Sequence, residues 1–235
     1  GAIKGFGLSW PLDEAARAGR VLNAMQASFR ASGSRALDPG LVPLDAAVRQ
    51  GMMSGLEVRR PARTRSGFFI DTTGSVMTTA EAVAGCSRIS IDGNQTMDIA
   101  HLDEVNGFAV LRARAALAPM GHARFADTLP APRAEVTVAG FSFEDALSLP
   151  TLTFGRFEDP RGLAGEEARA RLSMRVFQGD AGGPVMDGTG AVVGVLLPRP
   201  DTGDRLLPED VNFMVPGGVI AAALAAAAPD LRLSR

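Results

Sequence analysis

The sequence predicts a mostly β fold: two small barrels with a helical segment ahead of them and a helix at the end. Three observations carry that prediction. Short apolar runs recur about every ten residues between positions 67 and 111, and again between 135 and 216, the spacing of a barrel or sandwich. A linker over 115–133, with Pro119, Pro130 and Pro132, parts the two arrays. Before residue 61 the apolar period is helical instead.

Composition suits this. The chain has 235 residues, 46% hydrophobic and 21% charged, enough for a packed soluble core. Its 27 glycines and 15 prolines can punctuate many short strands. The net charge of −2 gives nucleic-acid binding no electrostatic support at the level of the whole chain. No apolar run approaches the roughly 20 residues of a membrane span, and the Ala-rich stretch 219–228 is too short. No signal peptide is expected within these residues, and a start at Gly1 without methionine reads as a trimmed or mature fragment, so this says nothing about export. Cys86 is the only cysteine, so no internal disulfide forms; it reads as a buried small hydrophobe, with a reactive thiol as the alternative.

Taken in order, Ile3, Phe6, Leu8 and Trp10 suggest a short extended segment that Gly5 and Gly7 weaken. Pro11 suits a helix start, and Asp13 and Glu14 suit its first turn. Ala18, Leu22, Met25 and Phe29 then share one face, predicting an amphipathic helix from about Leu12 to Ser32, stopped near Gly33. Such a helix docks on its own domain, or binds a partner or a second copy. A second short helix is expected near Leu44 to Met53. Arg59, Arg60, Arg63 and Arg65 follow, with Pro61 among them; they read as a solvated linker, or else as a patch for an acidic partner. From Ser66 the period becomes strand-like: 67–70, a turn at 71–74, 75–79, 88–91, a turn at Asp92-Gly93-Asn94, 95–103 and 108–111. The second array reads as 135–141, 151–157, 168–176, 185–186, 191–197 after a turn at 187–190, and 211–216, with a helix beyond. The expected divisions are a helical extension at 1–60 and a double barrel at 61–235, split into 61–118 and 119–235.

One stretch carries chemistry. Phe177-Gln178-Gly179-Asp180-Ala181-Gly182-Gly183-Pro184 packs three glycines and a proline into an irregular turn. A plain Gly-rich hairpin is one reading. The other is that it resembles, at all positions but one, the nucleophile loop of trypsin-like serine proteases, in which Ala181 holds the place of the attacking serine. Roughly residues 64–222 are similar to the bacterial branch typified by the high-temperature-requirement proteases. That branch carries its histidine in a Thr-Asn-Ala-His-Val-Val run; this chain has Thr78-Thr79-Ala80-Glu81-Ala82-Val83, with Glu81 in that place. Its aspartate lies in an Asn-Asp-Leu-Ala-Leu-Leu run; here Asn106-Gly107-Phe108-Ala109-Val110-Leu111 puts Gly107 there. Val211-Asn212-Phe213-Met214-Val215-Pro216 resembles the family's last strand.

The resemblance implies two six-stranded antiparallel barrels of the trypsin-like fold. It also implies a serine-protease homologue whose triad positions are all altered: Glu81, Gly107 and Ala181. A methyl group cannot attack a carbonyl, and triad members act as a unit. The expected function is therefore a pseudoprotease, not an enzyme, with oxyanion-hole-like amides at Gly179, Asp180 and Ala181. Its inter-barrel cleft would bind a peptide or protein by strand addition, without a cofactor. The alternative is a serine endopeptidase seen as a Ser-to-Ala variant at position 181. A carboxylate pair of Glu81 and Asp180 is a third route to chemistry. His101 and His122 lie outside any motif, and one cysteine with two distant histidines offers no metal-ligand spacing. Family analogy implies a periplasmic or otherwise exported protein, and the N-terminal helix a possible homo-oligomer.

Overall fold

A computed structural model describes residues 7–10, 14–28, 61–92, 95–115, 117–144, 149–200, 207–231 and 233–234. The chain divides into two compact units, Gly1–Arg60 and Pro61–Arg235. In the first unit, helix α1 spans Ala15–Ser28 and buries Ala18 alone. Of the apolar stripe read from the sequence, Ala18 is buried and Leu22 and Met25 are half-buried, Phe29 lies outside the described residues, and Val21, off that stripe, is exposed. The ends of the expected helix, the second short helix, Arg59 and Arg60 lie outside the described residues. Residues 7–10 form no strand.

Among its described residues the second unit is built mainly of strands, with two helices and a 3-10 turn. Its first array comprises β1 (Phe68–Phe69), β2 (Val76–Thr79), β3 (Ile89–Ile91), β4 (Gln95–Asp103) and β5 (Phe108–Ala113), with α2 (Ala80–Val83) after β2. These strands form one antiparallel sheet in the order β1-β2-β5-β4-β3. The expected six-stranded barrel is here a curled five-stranded half-barrel among the described residues. The chain after β5 adds no strand: Leu117 instead packs against the turn at Gly74, and Pro119, which has no N–H, follows.

The second array comprises β6 (Glu135–Gly140), β7 (Thr151–Asp159), β8 (Ala170–Ser173), β9 (Pro184–Met186), β10 (Val192–Leu196) and β11 (Val211–Pro216). It closes into a barrel in the order β10-β11-β8-β7-β6-β9, and α3 (Gly217–Ala227) leaves its last strand. Each array has its own apolar filling. Val76, Val83, Met97, Ala109 and Leu111 fill the half-barrel; Val136, Val138, Phe157, Leu172, Val193, Leu196 and Met214 are among those filling the barrel. A third cluster joins the two. Ile70, Met77, Phe108 and Val110 pack with Val192, Val195, Leu197, Phe213, Val215 and, from α3, Ile220 and Leu224. Strand β10 therefore sits at the seam. Val193 and Leu196 point into the barrel and Val192 and Val195 into the seam, and all five of its residues are buried.

Two hairpins share one construction. Before β2, the carboxylate Oδ1 of Asp71 accepts from the amide of Thr73 at 2.8 Å, its hydroxyl at 2.7 Å and the amide of Ser75 at 3.1 Å. Before β10, Asp187 accepts from the amide and hydroxyl of Thr189 and the amide of Ala191 at the same three distances. Gly74 and Gly190 follow in the left-handed region, at φ 89° and 83°. Partial burial pushes the Asp71 carboxyl up, but the donors around it prevail and bring it down to about 2. The Ser75 hydroxyl lies beside that carboxylate without hydrogen-bond geometry. Asp187 is likewise lowered, first by the Thr189 hydroxyl.

Candidate functional site

The loop 177–184 lies where the two arrays meet. Gln178–Asp180 form one turn of 3-10 helix, and Ala181 ends it, buried. Ser66, just ahead of β1, ties this loop to the half-barrel. Its amide donates to the Ala181 carbonyl at 3.0 Å and its hydroxyl to the Gly179 carbonyl at 2.7 Å, while its own carbonyl accepts from Thr78 Oγ1 at 2.7 Å. Glycine is required at 182: φ is 90°, and a Cβ would stand 2.2 Å from the Ser66 carbonyl oxygen. Thr78 and Thr79 end β2, and Thr79 caps α2 by accepting from the Ala82 amide at 3.3 Å. This cap presents Glu81 one residue into the helix.

Glu81 is not a free carboxylate. Arg65 grips it with two hydrogen bonds, Nε to Oε2 at 2.9 Å and Nη2 to Oε1 at 3.0 Å. Such a two-pronged contact is the strongest arrangement available to this residue pair. Arg63 adds Nε to Glu81 at 3.2 Å and donates to the Glu81 carbonyl and, at 3.3 Å, that of Ala84. The guanidinium of Arg65 also reaches across to the barrel, with Nη1 3.4 Å from Glu144 Oε1 and 2.7 Å from the Thr64 carbonyl. With its side chain only 6% exposed, Arg65 contradicts the solvated-linker reading of this arginine run. The run's charges there are spent on partners that lie 16 and 79 positions away in the chain.

Gly107 closes the β4–β5 hairpin at φ 86°. Its carbonyl accepts from the Ala80 amide at 3.0 Å, which brings it next to the helix that carries Glu81. Asp180 is fully buried. Its Oδ1 accepts from Ser142 Oγ at 2.7 Å and its Oδ2 from the Phe177 amide at 2.8 Å. Glu81 and Asp180 share no partner, so the carboxylate pair considered above is not formed; each is engaged elsewhere. The Asp180 amide donates to the Phe177 carbonyl at 3.1 Å and the Ala181 amide to the Gln178 carbonyl at 3.3 Å. The Gly179 amide has no partner among the described residues. Two of the three amides expected to form an oxyanion-like hollow therefore donate to the loop's own carbonyls.

Comparison with known proteins identifies the scaffold. A family model described as "Trypsin-like peptidase domain" matches residues 65–195, more than half the chain. The chain belongs to the trypsin-like peptidase family. Among solved structures, the Rv3671c protease of M. tuberculosis, as an inactive serine-to-alanine mutant, superposes with a TM-score of 0.56 at 23% identity, over 72% of this chain and 84% of that one. A serine endoprotease from Yersinia pestis superposes with a TM-score of 0.58 at 20% identity, over 74% of this chain and 61% of that one. At such identities these likenesses speak for the trypsin-like fold alone. A curated protein of Sinorhizobium fredii, the uncharacterised y4bJ, is 29% identical over 171 residues, 68% of this chain. The chain spans about a quarter of that relative's length, 26%.

On this trypsin-like scaffold, sequence reasoning missed Arg65, Ser66 and Glu144. No local signal marks Ser66 or Glu144, whose roles depend on contacts far along the chain. Cys86, expected to be buried, is exposed at the end of α2, where Gly85 turns the chain outward. His101 lies on β4 against the Phe108 ring, at 5.7 Å between centroids, with a buried Nε2 that has no partner among the described residues. His122 lies 3.3 Å from Ser234 Oγ, in the C-terminal tail. Neither histidine shares a contact with the loop. Among the described residues, no group of three His, Cys, Asp or Glu side chains could hold a metal ion, and no helix is long and apolar enough to cross a membrane.

Proposed function

We propose that this trypsin-like domain binds a peptide or protein segment in its cleft and does not cut it. The observation that carries this reading is the pairing of Glu81 with Arg65. Where a trypsin-like enzyme needs a base beside its nucleophile, this chain has a carboxylate held in two charge-assisted hydrogen bonds, near a loop whose Ala181 offers only a methyl group. Gly107 has no side chain to orient anything. All three triad positions are then altered, and no member remains to take or return a proton. An extended segment can still be held by backbone pairing and side-chain contacts, which need no reactive group. The family's bacterial branch makes an exported, periplasmic setting the natural one, and the half-buried Leu22 and Met25 of α1 leave apolar surface for self-association or partner binding.

The test is labelling of the purified protein with a fluorophosphonate probe, together with casein cleavage. Neither should exceed background, and an Ala181→Ser variant should stay unlabelled because Glu81 is engaged by Arg65. Labelling of the native chain would sink the reading. One observation favours a second reading, a serine endopeptidase carrying Ser→Ala at 181: the loop 177–184 departs from the family's nucleophile loop at that position alone. A serine codon at this position of the gene, with cleavage by the encoded protein, would decide for it.

A further inference from the structure

We infer that the bare edge of β7 pairs with the same edge of a second copy of this chain, antiparallel about a twofold axis at Thr153. The bare edge follows from the register. β6 pairs along β7 from Arg156 to Thr151 without a shift, and the Phe157 amide donates to the Ala134 carbonyl at 2.9 Å. Gly155, Thr153 and Thr151, of the same parity as Phe157, therefore turn their amides and carbonyls towards β6. Those of Leu152, Phe154 and Arg156 turn the other way. On that side β8 meets Arg156 with Ser173, its last residue, and the chain then leaves: the Met174 amide donates to the Asp210 carbonyl at 2.9 Å. Past Ser173, no described residue bonds to the outward backbone of Leu152 or Phe154. Phe157 points into the barrel, so the side chains of Leu152 and Phe154 stand on its outer face, where they are 59% and 73% exposed.

An exposed apolar edge is ordinarily blunted by a charge, a proline or a bulge. The half-barrel's edges obey this: β1 is two residues long, and Arg88 and Asp92 bracket β3. The edge of β7 does not. Residues 149–155 read Leu-Pro-Thr-Leu-Thr-Phe-Gly, without a charge, and the proline precedes the strand. Self-complementarity decides the occupant. With the axis at Thr153, Leu152 of each copy lies opposite Phe154 of the other, and each such pair exchanges both of its backbone hydrogen bonds. Every outward amide and carbonyl of these residues then has a partner. Each Phe154 ring also lies beside a leucine, a favourable cross-strand pair. The pairing ends where it should: Pro150, which has no N–H, falls opposite Arg156, whose edge is already spent on Ser173. The two copies of Arg156 are six positions apart in this register, roughly 20 Å, well beyond a screening length of about 8 Å. A segment of another protein would find no charge in this window to select it.

Sedimentation equilibrium of the full chain should show reversible association to twice the 24.5 kDa of one copy, with a midpoint on the order of 10 µM for so short a pairing. Phe154→Glu, which sets a carboxylate against Leu152 of the other copy, should weaken it at least about tenfold. Cross-linking then reads the register, and misfolding cannot imitate it. With Cys86→Ser in both, Leu152→Cys and Phe154→Cys are made as separate proteins and mixed under oxidation. The mixture should give a disulfide-linked dimer, because these positions face each other at about 5.5 Å, within disulfide reach. Either protein alone should give far less, since like positions lie diagonally, roughly 7–8 Å apart. A chain that stays monomeric at about 100 µM overturns the inference and leaves this edge to a segment of another protein. A dimer that ignores Phe154→Glu, or that shows no preference for the mixed cross-link, overturns it as well and moves the interface elsewhere.

Discussion

Replacing Arg65 by alanine leaves the carboxylates of Glu81 and Glu144 without the guanidinium between them, and opens a void where a nearly buried side chain stood. Removing one partner of a buried ion pair costs about 3–5 kcal/mol, and the partial exposure of both acids brings the expected loss to about 2 kcal/mol. Urea unfolding of Arg65→Ala should show that loss. Arg65→Lys should recover only part of it, because an ammonium cannot grip Glu81 with two parallel bonds. An unchanged midpoint in Arg65→Ala would mean that the pair is a surface ornament. The residue scale is also where the sequence was least legible. Four arginines in seven positions look like a solvated run, because charge density is local and burial is not. Ala181, Glu81 and Gly107 were readable as substitutions in a motif; what now occupies their surroundings was not.

Elements were far more legible, because strand periodicity and turn chemistry are local properties. Each strand expected between 67 and 216 has a counterpart, with ends moved by a few residues, as in 168–176 against Ala170–Ser173. The short β1 and the missing sixth strand depend on where the chain after β5 packs, which no local pattern states. The twin Asp-x-Thr-Gly hairpins were visible as turns but not as a repeat, since their likeness lies in how one carboxylate gathers three donors. That geometry makes a pH prediction. The folded-state value of Asp71, about 2, lies below the ordinary aspartate value of 3.8. Its stabilisation is therefore complete above pH 3.8 and drains away as pH falls through 2. Asp71→Ala should cost about 1 kcal/mol near neutral pH, as loss of a capping carboxylate does. The gap from wild type should narrow as unfolding is measured at successively lower pH below 4. Asp187→Ala should behave in the same sense. A gap that stays constant down to pH 2 would assign the effect to packing and not to charge.

At the scale of the whole second unit, the seam is what joins the two arrays. Phe108 and Val110 of the half-barrel share one apolar cluster with Val195 and Val215 of the barrel and Ile220 of α3, all fully buried. Neither array can lose its fold without exposing the other's side of that cluster, so residues 61–235 should unfold as a single cooperative unit despite containing two sheets. Calorimetry of this segment should give one transition whose calorimetric and van't Hoff enthalpies agree. Phe108→Ala, which empties the centre of the seam, should lower stability by about 3–5 kcal/mol and keep the transition single. Two resolved transitions, with Phe108→Ala shifting only one, would mean that the arrays are independent. The segments at 66 and 81 would then be tied to the loops at 144 and 177–182 by the Arg65 and Ser66 contacts. The segments around Ala181 come from both arrays, and the proposed peptide would meet a preformed surface there only if the seam holds them in register.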